Sequence, residues 1–241
     1  MSKTICAAYS EQCTNGLHIN QDHMGYVRVR GRDGGEITFA MVADGVSMGF
    51  EGKYASYNTA VTLLEWAKDY FRQEAFDMGE AAAEIQDRLQ ELNDRLNAFS
   101  EQHSDQDTCT TVCGCVTDGD SVLIFNAGDS RAYLLLPDSS GCLTTDDKGE
   151  DHESIAMHVG GMDSGTLQVT FLSAQMTDES RFLFCTDGLY RMLQMEEWCE
   201  AATQAQTSDA LHALLQSMAD AAREAGESDD ISGVFVAGKP E

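Results

Sequence analysis

The chain has 241 residues, of which 42% are hydrophobic, so it is long enough to bury a core and its composition argues against global disorder. Its 15 Lys and Arg against 41 Asp and Glu give a net charge of −26, which disfavours nucleic acid and anionic membrane surfaces as partners. No run approaches the roughly 20 apolar residues that span a bilayer, and residues 1–6 do not begin a signal-peptide core. We therefore expect a cytoplasmic protein.

Strand patterns open the chain, and two long helical patterns follow. Apolar runs predict strands at residues 4–8, 25–30 and 36–43. Glycines between the second and third runs predict a turn at 31–35. Apolar residues then recur every third or fourth position, which predicts helices at about 52–76 and 80–100. We expect this helix pair to cover one face of a sheet.

The second half of the chain repeats the order of strands followed by a helix pair. Strands are predicted at 109–117, 121–126, 131–136, near 142–144, at 166–172, 181–185 and 231–236, and helices near 194–205 and 208–225. Residues 118–120 predict a hairpin turn. This order indicates an α+β fold in which two antiparallel sheets pack together between flanking helices. With only two prolines and no internal repeat, residues 1–241 are predicted to form a single domain.

The eight cysteines show no Cys-x-x-Cys spacing of the kind found in zinc sites. Cys109, Cys113 and Cys115 are separated by even intervals, so an uninterrupted strand would place them on one face. A thiolate metal site is one interpretation of that face, but free cysteine usually behaves as a small buried hydrophobe. We predict that all eight are reduced free thiols, as is normal in the cytosol.

Aspartates stand where several predicted strands begin or end. Asp44 and Asp187 each follow an apolar run and precede a glycine. Asp129 follows a third run, and Asp229 stands just before the last one. If these ends meet, their carboxylates form a pocket of oxygen ligands suited to hard cations such as Mg²⁺ or Mn²⁺. A glycine after a ligand removes Cβ bulk and permits unusual dihedral angles, so its carbonyl can also face a cation.

A single Asp-Gly pair is weak support, since most such pairs are ordinary turns. The ordered set of motifs is more specific: Asn20-Gln21-Asp22, Ala43-Asp44-Gly45-Val46, Cys109-Thr110-Thr111, Gly128-Asp129-Ser130-Arg131, Thr186-Asp187-Gly188-Leu189 and Asp229-Asp230-Ile231-Ser232. From about residue 6 to residue 236 the chain resembles the bacterial metal-dependent protein phosphatases of the protein phosphatase 2C type. The resemblance implies a four-layer α-β-β-α sandwich, with two central antiparallel sheets flanked by helix pairs.

The resemblance also implies a centre of two Mn²⁺ or Mg²⁺ ions that activates water to hydrolyse phosphoserine and phosphothreonine. Asp44 would bridge both ions, and the Gly45 carbonyl would bind one of them. Asp187 and Asp229 would complete the protein ligands of the other. These three aspartates would therefore carry catalysis through the ions they hold.

Two further aspartates complete the implied site. Asp22 would lie in or near the metal shell, through water, and Asp129 would belong to an additional, looser metal site of this family. The implied partners are phosphorylated proteins, the substrates of a bacterial serine/threonine kinase. Arg131 is interpreted as a structural partner of neighbouring carboxylates, with a phosphate clamp as the alternative.

The chain departs from the family pattern at the phosphate-binding position. Relatives commonly carry an arginine five residues before the first-motif aspartate, where this chain has Leu17. His18, beside it, is the candidate for part of that role, and an ordinary surface or core histidine is the alternative. Asp230 replaces a usual asparagine and would tighten metal binding if it faces inward. The missing arginine also supports a second hypothesis, a catalytically weak member of the fold that binds phosphoproteins or senses metal.

Overall fold

The computed structural model describes residues 4–14, 19–46, 50–103, 108–147, 157–161 and 166–239. The helices are α1 (Phe50–Gln73), α2 (Met78–His103), α3 (Asp187–Tyr190), α4 (Cys199–Gln204) and α5 (Ser208–Glu224), with a 3-10 turn at Met195–Trp198. The strands are β1 (Thr4–Glu11), β2 (His23–Arg30), β3 (Glu36–Ala43), β4 (Gly45–Val46), β5 (Cys109–Thr110), β6 (Val112–Thr117), β7 (Ser121–Ala127), β8 (Arg131–Leu136), β9 (Ser139–Cys142), β10 (Val159–Gly160), β11 (Thr170–Gln175), β12 (Arg181–Cys185) and β13 (Ile231–Gly238).

Two five-stranded antiparallel sheets form the centre of the molecule, which confirms the predicted α+β class. Strand order is β1-β13-β12-β8-β9 in the first sheet and β11-β7-β6-β3-β2 in the second. The first sheet joins opposite parts of the chain, with Ala7 of β1 opposite Phe235 of β13. A third sheet of three strands, β10-β5-β4, is not predicted from the sequence, because β4, β5 and β10 have only two residues each and carry no readable periodicity.

Apolar side chains pack in three layers, one between the sheets and one under each helix pair. On β3, Phe39 and Met41 pack with the side chains of α1 and α2, whereas Ala40 and Val42 pack with the other sheet. Helices α4 and α5 cover the outer face of the first sheet, where Leu215 is buried. The four-layer α-β-β-α sandwich is therefore confirmed. Because both faces of β3 are covered, its sequence is a continuous apolar run.

The predicted strand at 109–117 is interrupted at Thr111, which separates β5 from β6. The backbone N–H of Thr111 donates to the carbonyl oxygen of Asp44 at 2.9 Å. As a result Cys109 pairs in the small sheet, while Cys113 and Cys115 lie between the two large sheets. The expectation that the three cysteines share one uninterrupted strand is wrong, because Thr111 is drawn out of the ladder to bind the end of β3.

Other element boundaries also differ from the predictions. The strand predicted at 166–172 begins only at Thr170, since the backbone N–H groups of Leu167 and Val169 donate to the Gln90 and Gln86 side chains of α2. The short strand near 142–144 lies earlier, as β9, and the helix at 194–205 divides into a 3-10 turn and α4. The starts and ends of β3, β8 and β12 agree with the predictions.

The predicted thiol state of the cysteines agrees with the structure, in which all eight are free. A membrane-crossing helix is absent from the described part of the chain, since none of its helices combines the necessary length and apolar character. The proposed phosphate-binding residue His18 and its neighbour Leu17 lie outside the described residues.

Candidate metal-binding active site

The second sheet places Asp44 and Asp129 at one edge. Val42 of β3 is opposite Cys113 of β6, which in turn is opposite Asn126 of β7. Because antiparallel neighbours alternate in direction, β3 and β7 run the same way and both end at this edge. The two aspartates that follow these strands are therefore neighbours across β6.

The first sheet brings Asp187 and Asp229 together in the same manner. Cys185, the last residue of β12, is opposite Gly233 near the start of β13. Asp187 follows β12 and opens the single turn of α3, while Asp229 stands two residues before β13. Two aspartates that are 42 positions apart in sequence thus flank one pair of strands.

The backbone of Asp44 is held by two threonines. Its N–H donates to the Thr111 hydroxyl at 3.1 Å, and its carbonyl oxygen accepts from the Thr110 hydroxyl at 2.7 Å. The Thr111 hydroxyl also lies 2.7 Å from the Ser130 hydroxyl, beside Asp129. These bonds give the Cys-Thr-Thr motif a physical role, because they fix the ends of β3 and β7 relative to each other.

Gly45 and Gly188 are required by close approach of the backbone. A Cβ atom at Gly45 would overlap the carbonyl oxygen of Gly52 in α1, and one at Gly188 would overlap that of Asp230. Neither residue is among the described glycines with positive φ. The absence of a Cβ atom is therefore needed at these two glycines, as expected. The expected unusual dihedral angles are not found there.

Asp22 is buried, and its position follows from the pairing of His23 with Ala43, next to Asp44. Its Oδ2 accepts a hydrogen bond from the Thr186 hydroxyl at 2.9 Å, which links the two sheets. Burial raises the pKa of Asp22 to about 7, against the opposing effect of hydrogen bonds from the Thr186 and Ser232 side chains. The Asp22 carboxyl can therefore hold a proton near neutral pH.

The five predicted carboxylates act on one another electrostatically. Burial raises the pKa of Asp44 well above its usual value, and the charges of Asp22, Asp187, Asp229 and Asp129 raise it further. Burial also raises the pKa of Asp187. Such a group of hard oxygen donors fits Mg²⁺ or Mn²⁺ chemically, because a cation would offset the repulsion. Within the described ranges, however, no three His, Cys, Asp or Glu side chains are already arranged to hold an ion.

A guanidinium lies among these carboxylates. Arg191 directly follows α3, contacts the Asp187 carboxylate, and lies 3.5 Å from Asp229 and 3.2 Å from Glu227. Arg191 is not among the site residues predicted from the sequence. The spacing of four between Asp187 and Arg191 on a helical turn is the signal that could have indicated the pair.

The loop before β13 is fixed by a second arginine and by Glu227. Arg223, at the end of α5, donates to the carbonyl oxygens of Asp229 at 2.6 Å and Glu227 at 3.2 Å. The buried Glu227 accepts from the backbone N–H groups of Ser228 and Asp229 through one carboxylate oxygen. Asp229 itself is exposed at this end of the sandwich.

Asp230 does not join the candidate site. Its two carboxylate oxygens accept the backbone N–H groups of Cys13 at 2.6 Å and Gln21 at 2.7 Å. The side chain therefore anchors the N-terminal segment to the start of β13. It does not face the candidate metal site, so the tighter metal binding expected of an inward-facing Asp230 does not follow.

A cleft of about 590 Å³ adjoins Asp129 and Asp187. On its wall Arg131 forms two 2.8 Å hydrogen bonds to Asp146 and lies over the Tyr190 ring at 3.9 Å. The Tyr190 hydroxyl donates to the carbonyl oxygen of Asp129 at 2.9 Å. Arg131 is thus paired with a carboxylate, as the sequence analysis predicts, and it supports the loop that carries Asp129.

The described chain thus combines a four-layer sandwich with an acidic end to which both sheets contribute. Residues 12–232 match the family model described as Protein phosphatase 2C. Since this match covers most of the chain, the protein belongs to the protein phosphatase 2C family, whose members are phosphoprotein phosphatases.

Solved structures share the fold at low sequence identity. A serine/threonine phosphatase of S. agalactiae superposes with a TM-score of 0.83 at 16% identity, covering 98% of this chain and 100% of that one. PppA, a regulatory component of T6SS in Pseudomonas aeruginosa, gives 0.77 at 19% identity, with 98% of both chains covered. The Mycobacterium tuberculosis serine/threonine phosphatase PstP/Ppp gives 0.74 at 17% identity, covering 98% and 99%. No sequence among the curated proteins compared matches this chain.

Proposed function

We propose that this protein is a phosphoserine/phosphothreonine protein phosphatase that depends on two Mn²⁺ or Mg²⁺ ions. The main support is that carboxylates from both sheets lie within electrostatic range of one another at one end of a protein phosphatase 2C fold. Asp44, the Gly45 carbonyl, Asp187 and Asp229 would hold the two ions, with Asp22 nearby. Asp129 would serve a third, looser site. The proposed substrates are cytoplasmic proteins phosphorylated by a bacterial serine/threonine kinase.

When bound, the two ions would make water more acidic and would offset negative charge on the phosphoryl oxygens. The residues of the chain position the reaction around them. The threonine bonds hold Asp44 in place, and the Thr186 hydroxyl orients Asp22. Burial raises the pKa of Asp22 in the protein without metal, and the two bound ions would favour its ionised form.

Three buried cysteines between and beside the sheets do not offer an alternative nucleophile. Burial raises the pKa values of Cys113 and Cys115 well above the usual thiol range. Burial does the same for Cys185, which lies closest in sequence to Asp187. Since the thiolate is the reactive form, these protonated and inaccessible thiols are inert at neutral pH. The proposed reaction is attack by water rather than by one of these three thiols.

The test is hydrolysis of p-nitrophenyl phosphate and of a phosphothreonine peptide, with and without Mn²⁺. We expect turnover only with the metal, and its loss in Asp44→Ala. Full activity in that variant, or turnover after complete chelation, would refute the proposal.

The second candidate function is a catalytically weak phosphoprotein-binding or metal-sensing protein, and the observation that favours it is Leu17. Replacement of Leu17 by Arg separates the two functions. If the wild type only lacks a phosphate anchor, the variant should show a lower KM. If both proteins are inactive but bind the phosphopeptide, the binding role is supported instead.

A further inference from the structure

The positively charged side chain of Arg191 lies between two residues that are proposed to bind metal. Its guanidinium contacts Asp187, which is one helical turn earlier, and reaches Asp229 on the adjacent loop. We infer that Arg191 is the internal counter-ion of the metal centre, which holds Asp187 and Asp229 together until a divalent cation displaces it. This inference rests on the proposed function, since it concerns the same carboxylates.

The contacts place a guanidinium where a proposed divalent ion would compete for the same carboxylates. A guanidinium and a divalent ion at the Asp187 carboxylate would lie within a few ångströms of each other and would repel. In the proposed exchange, metal binding at Asp187 and Asp229 releases Arg191 from both.

Glu227 provides the position to which Arg191 can withdraw. Its side chain is only 2% exposed, and its Oε1 is fixed by the N–H groups of Ser228 at 2.8 Å and Asp229 at 3.0 Å. The Arg191 guanidinium lies 3.2 Å from the same oxygen. Because Glu227 is not one of the proposed ligands, this ion pair can remain when the other two are broken.

The surroundings of Arg191 also leave room for the movement. The side chain is 43% exposed and lines the 590 Å³ cleft beside Asp129 and Asp187. Arg131, across the cleft, is already paired with Asp146. Arg191 is therefore a positioning residue of the site, and it acts by setting how strongly the two carboxylates are available to metal.

The experiment is calorimetric titration of the full chain with Mn²⁺, for the wild type and for Arg191→Gln. Loss of the competing cation should lower the dissociation constant about tenfold, which corresponds to the removal of two partly exposed ion pairs. Arg191→Lys, which keeps the charge but not the planar fork, should give an intermediate value. Arg88→Gln, which removes the same charge from an exposed pair on α2, should change the constant less than twofold.

Thermal unfolding gives a second readout. Without metal, Arg191→Gln should unfold at a lower temperature than the wild type, and saturating Mn²⁺ should reduce the difference. A residue that only supports the fold would instead weaken metal binding when replaced. Mn²⁺ affinity in Arg191→Gln that equals or falls below the wild-type value would overturn the inference while leaving the proposed function intact. Absence of Mn²⁺ binding in both proteins would overturn both.

Glu227→Gln tests the other half of the exchange. The amide keeps an acceptor for the two N–H groups but loses the charge that retains Arg191. We expect weaker Mn²⁺ binding in Glu227→Gln, and no additional weakening when the change is made in Arg191→Gln. An equal effect of Glu227→Gln in both backgrounds would show that Glu227 acts without Arg191, and would overturn its assigned role.

Discussion

The two sides of the acidic end are built by different forces. On the side of the second sheet, the Asp44 backbone accepts a hydrogen bond from the Thr110 hydroxyl and donates one to the Thr111 hydroxyl. On the side of the first sheet, Asp187 and Asp229 are held by the charge of Arg191. Neutral hydrogen bonds thus order one side, whereas a cation pairs with the carboxylates of the other. Burial and four neighbouring carboxylates raise the pKa of Asp44, so electrostatic repulsion acts on Asp44 when no metal is bound.

Replacement of Asp44 by Asn gives the largest expected effect. Mn²⁺-dependent turnover should fall at least about a hundredfold, because the proposed bridging ligand is lost. The metal-free protein should unfold at a higher temperature, because the amide removes a carboxylate whose pKa is strongly raised. Phosphatase assays and thermal scans measure both. Asp33→Asn, in the predicted Asp-Gly turn at 31–35, is the matched control and should leave turnover within twofold.

The pH dependence of stability tests the same stored repulsion. In the folded protein the pKa of Asp22 is about 7, above the ordinary 3.8, and those of Asp44 and Asp187 are raised too. At a pH between the ordinary and the raised pKa values, the folded chain keeps protons that the unfolded chain has released, so rising pH favours unfolding. The stabilising contribution of these protonated carboxyl groups is complete below about pH 4 and is lost as pH rises through 7.

We therefore expect the unfolding free energy of the metal-free protein to fall by about 2–4 kcal/mol between pH 5 and pH 8. Urea unfolding at several pH values measures it. In Asp22→Asn the fall should be smaller, and saturating Mn²⁺ should reduce it further in the wild type. A metal-free protein that becomes more stable over this range would contradict the assignment.

Gly188→Ala tests the packing of the charged side. A Cβ atom there would overlap the Asp230 carbonyl oxygen, so α3 must move away from the start of β13. The expected loss of stability is about 1–3 kcal/mol, with weaker Mn²⁺ binding as Asp187 separates from Asp229. Gly79→Ala on α2 is the control, since it meets only a side-chain atom and should stabilise slightly. If Gly188→Ala is as stable as the wild type, the backbone can move to avoid the overlap with the Asp230 carbonyl oxygen at little cost.

Thr111→Val tests the neutral side and has the smallest expected effect. The change keeps the shape of the side chain but removes the hydroxyl that accepts from Asp44 N–H and contacts Ser130. Stability should fall by about 1–2 kcal/mol, measured by urea unfolding. Thr59→Val is the matched control, because the buried Thr59 hydroxyl has no hydrogen-bond partner among the described residues. Thr59→Val should leave stability unchanged or increase it. An equal loss of stability in both variants would show that the hydrogen bonds of the Thr111 hydroxyl do not account for its effect.

The sequence predicts the layers of this fold better than its connections. β3, β8 and β12 are found with the predicted boundaries because each is an apolar run bounded by turn residues. The break at Thr111 and the late start of β11 depend on hydrogen bonds to Asp44, Gln86 and Gln90, which are distant in sequence. Local patterns carry no information about such partners.

The same distinction applies to the candidate site. The positions of Asp44, Asp129 and Asp187 after strands are visible in the sequence, because apolar runs end there. The direction of a side chain is not visible, so Asp230 could not be recognised as a backbone anchor. The contacts of Arg191 required the loop before β13 to be placed against α3. The ligand roles of the aspartates stay a prediction that the metal titrations test.

The pairing of β1 with β13 has a consequence for the order of folding. Thr4 is opposite Gly238 and Glu11 opposite Ile231, so this central ladder joins residues that are distant in the sequence. Contacts between such distant residues are slow to form, since a long loop must close first. The strand that follows Asp229 can pair with β1 only after the residues between them have been synthesised. We therefore expect the first sheet, and with it the position of Asp229, to form late in folding.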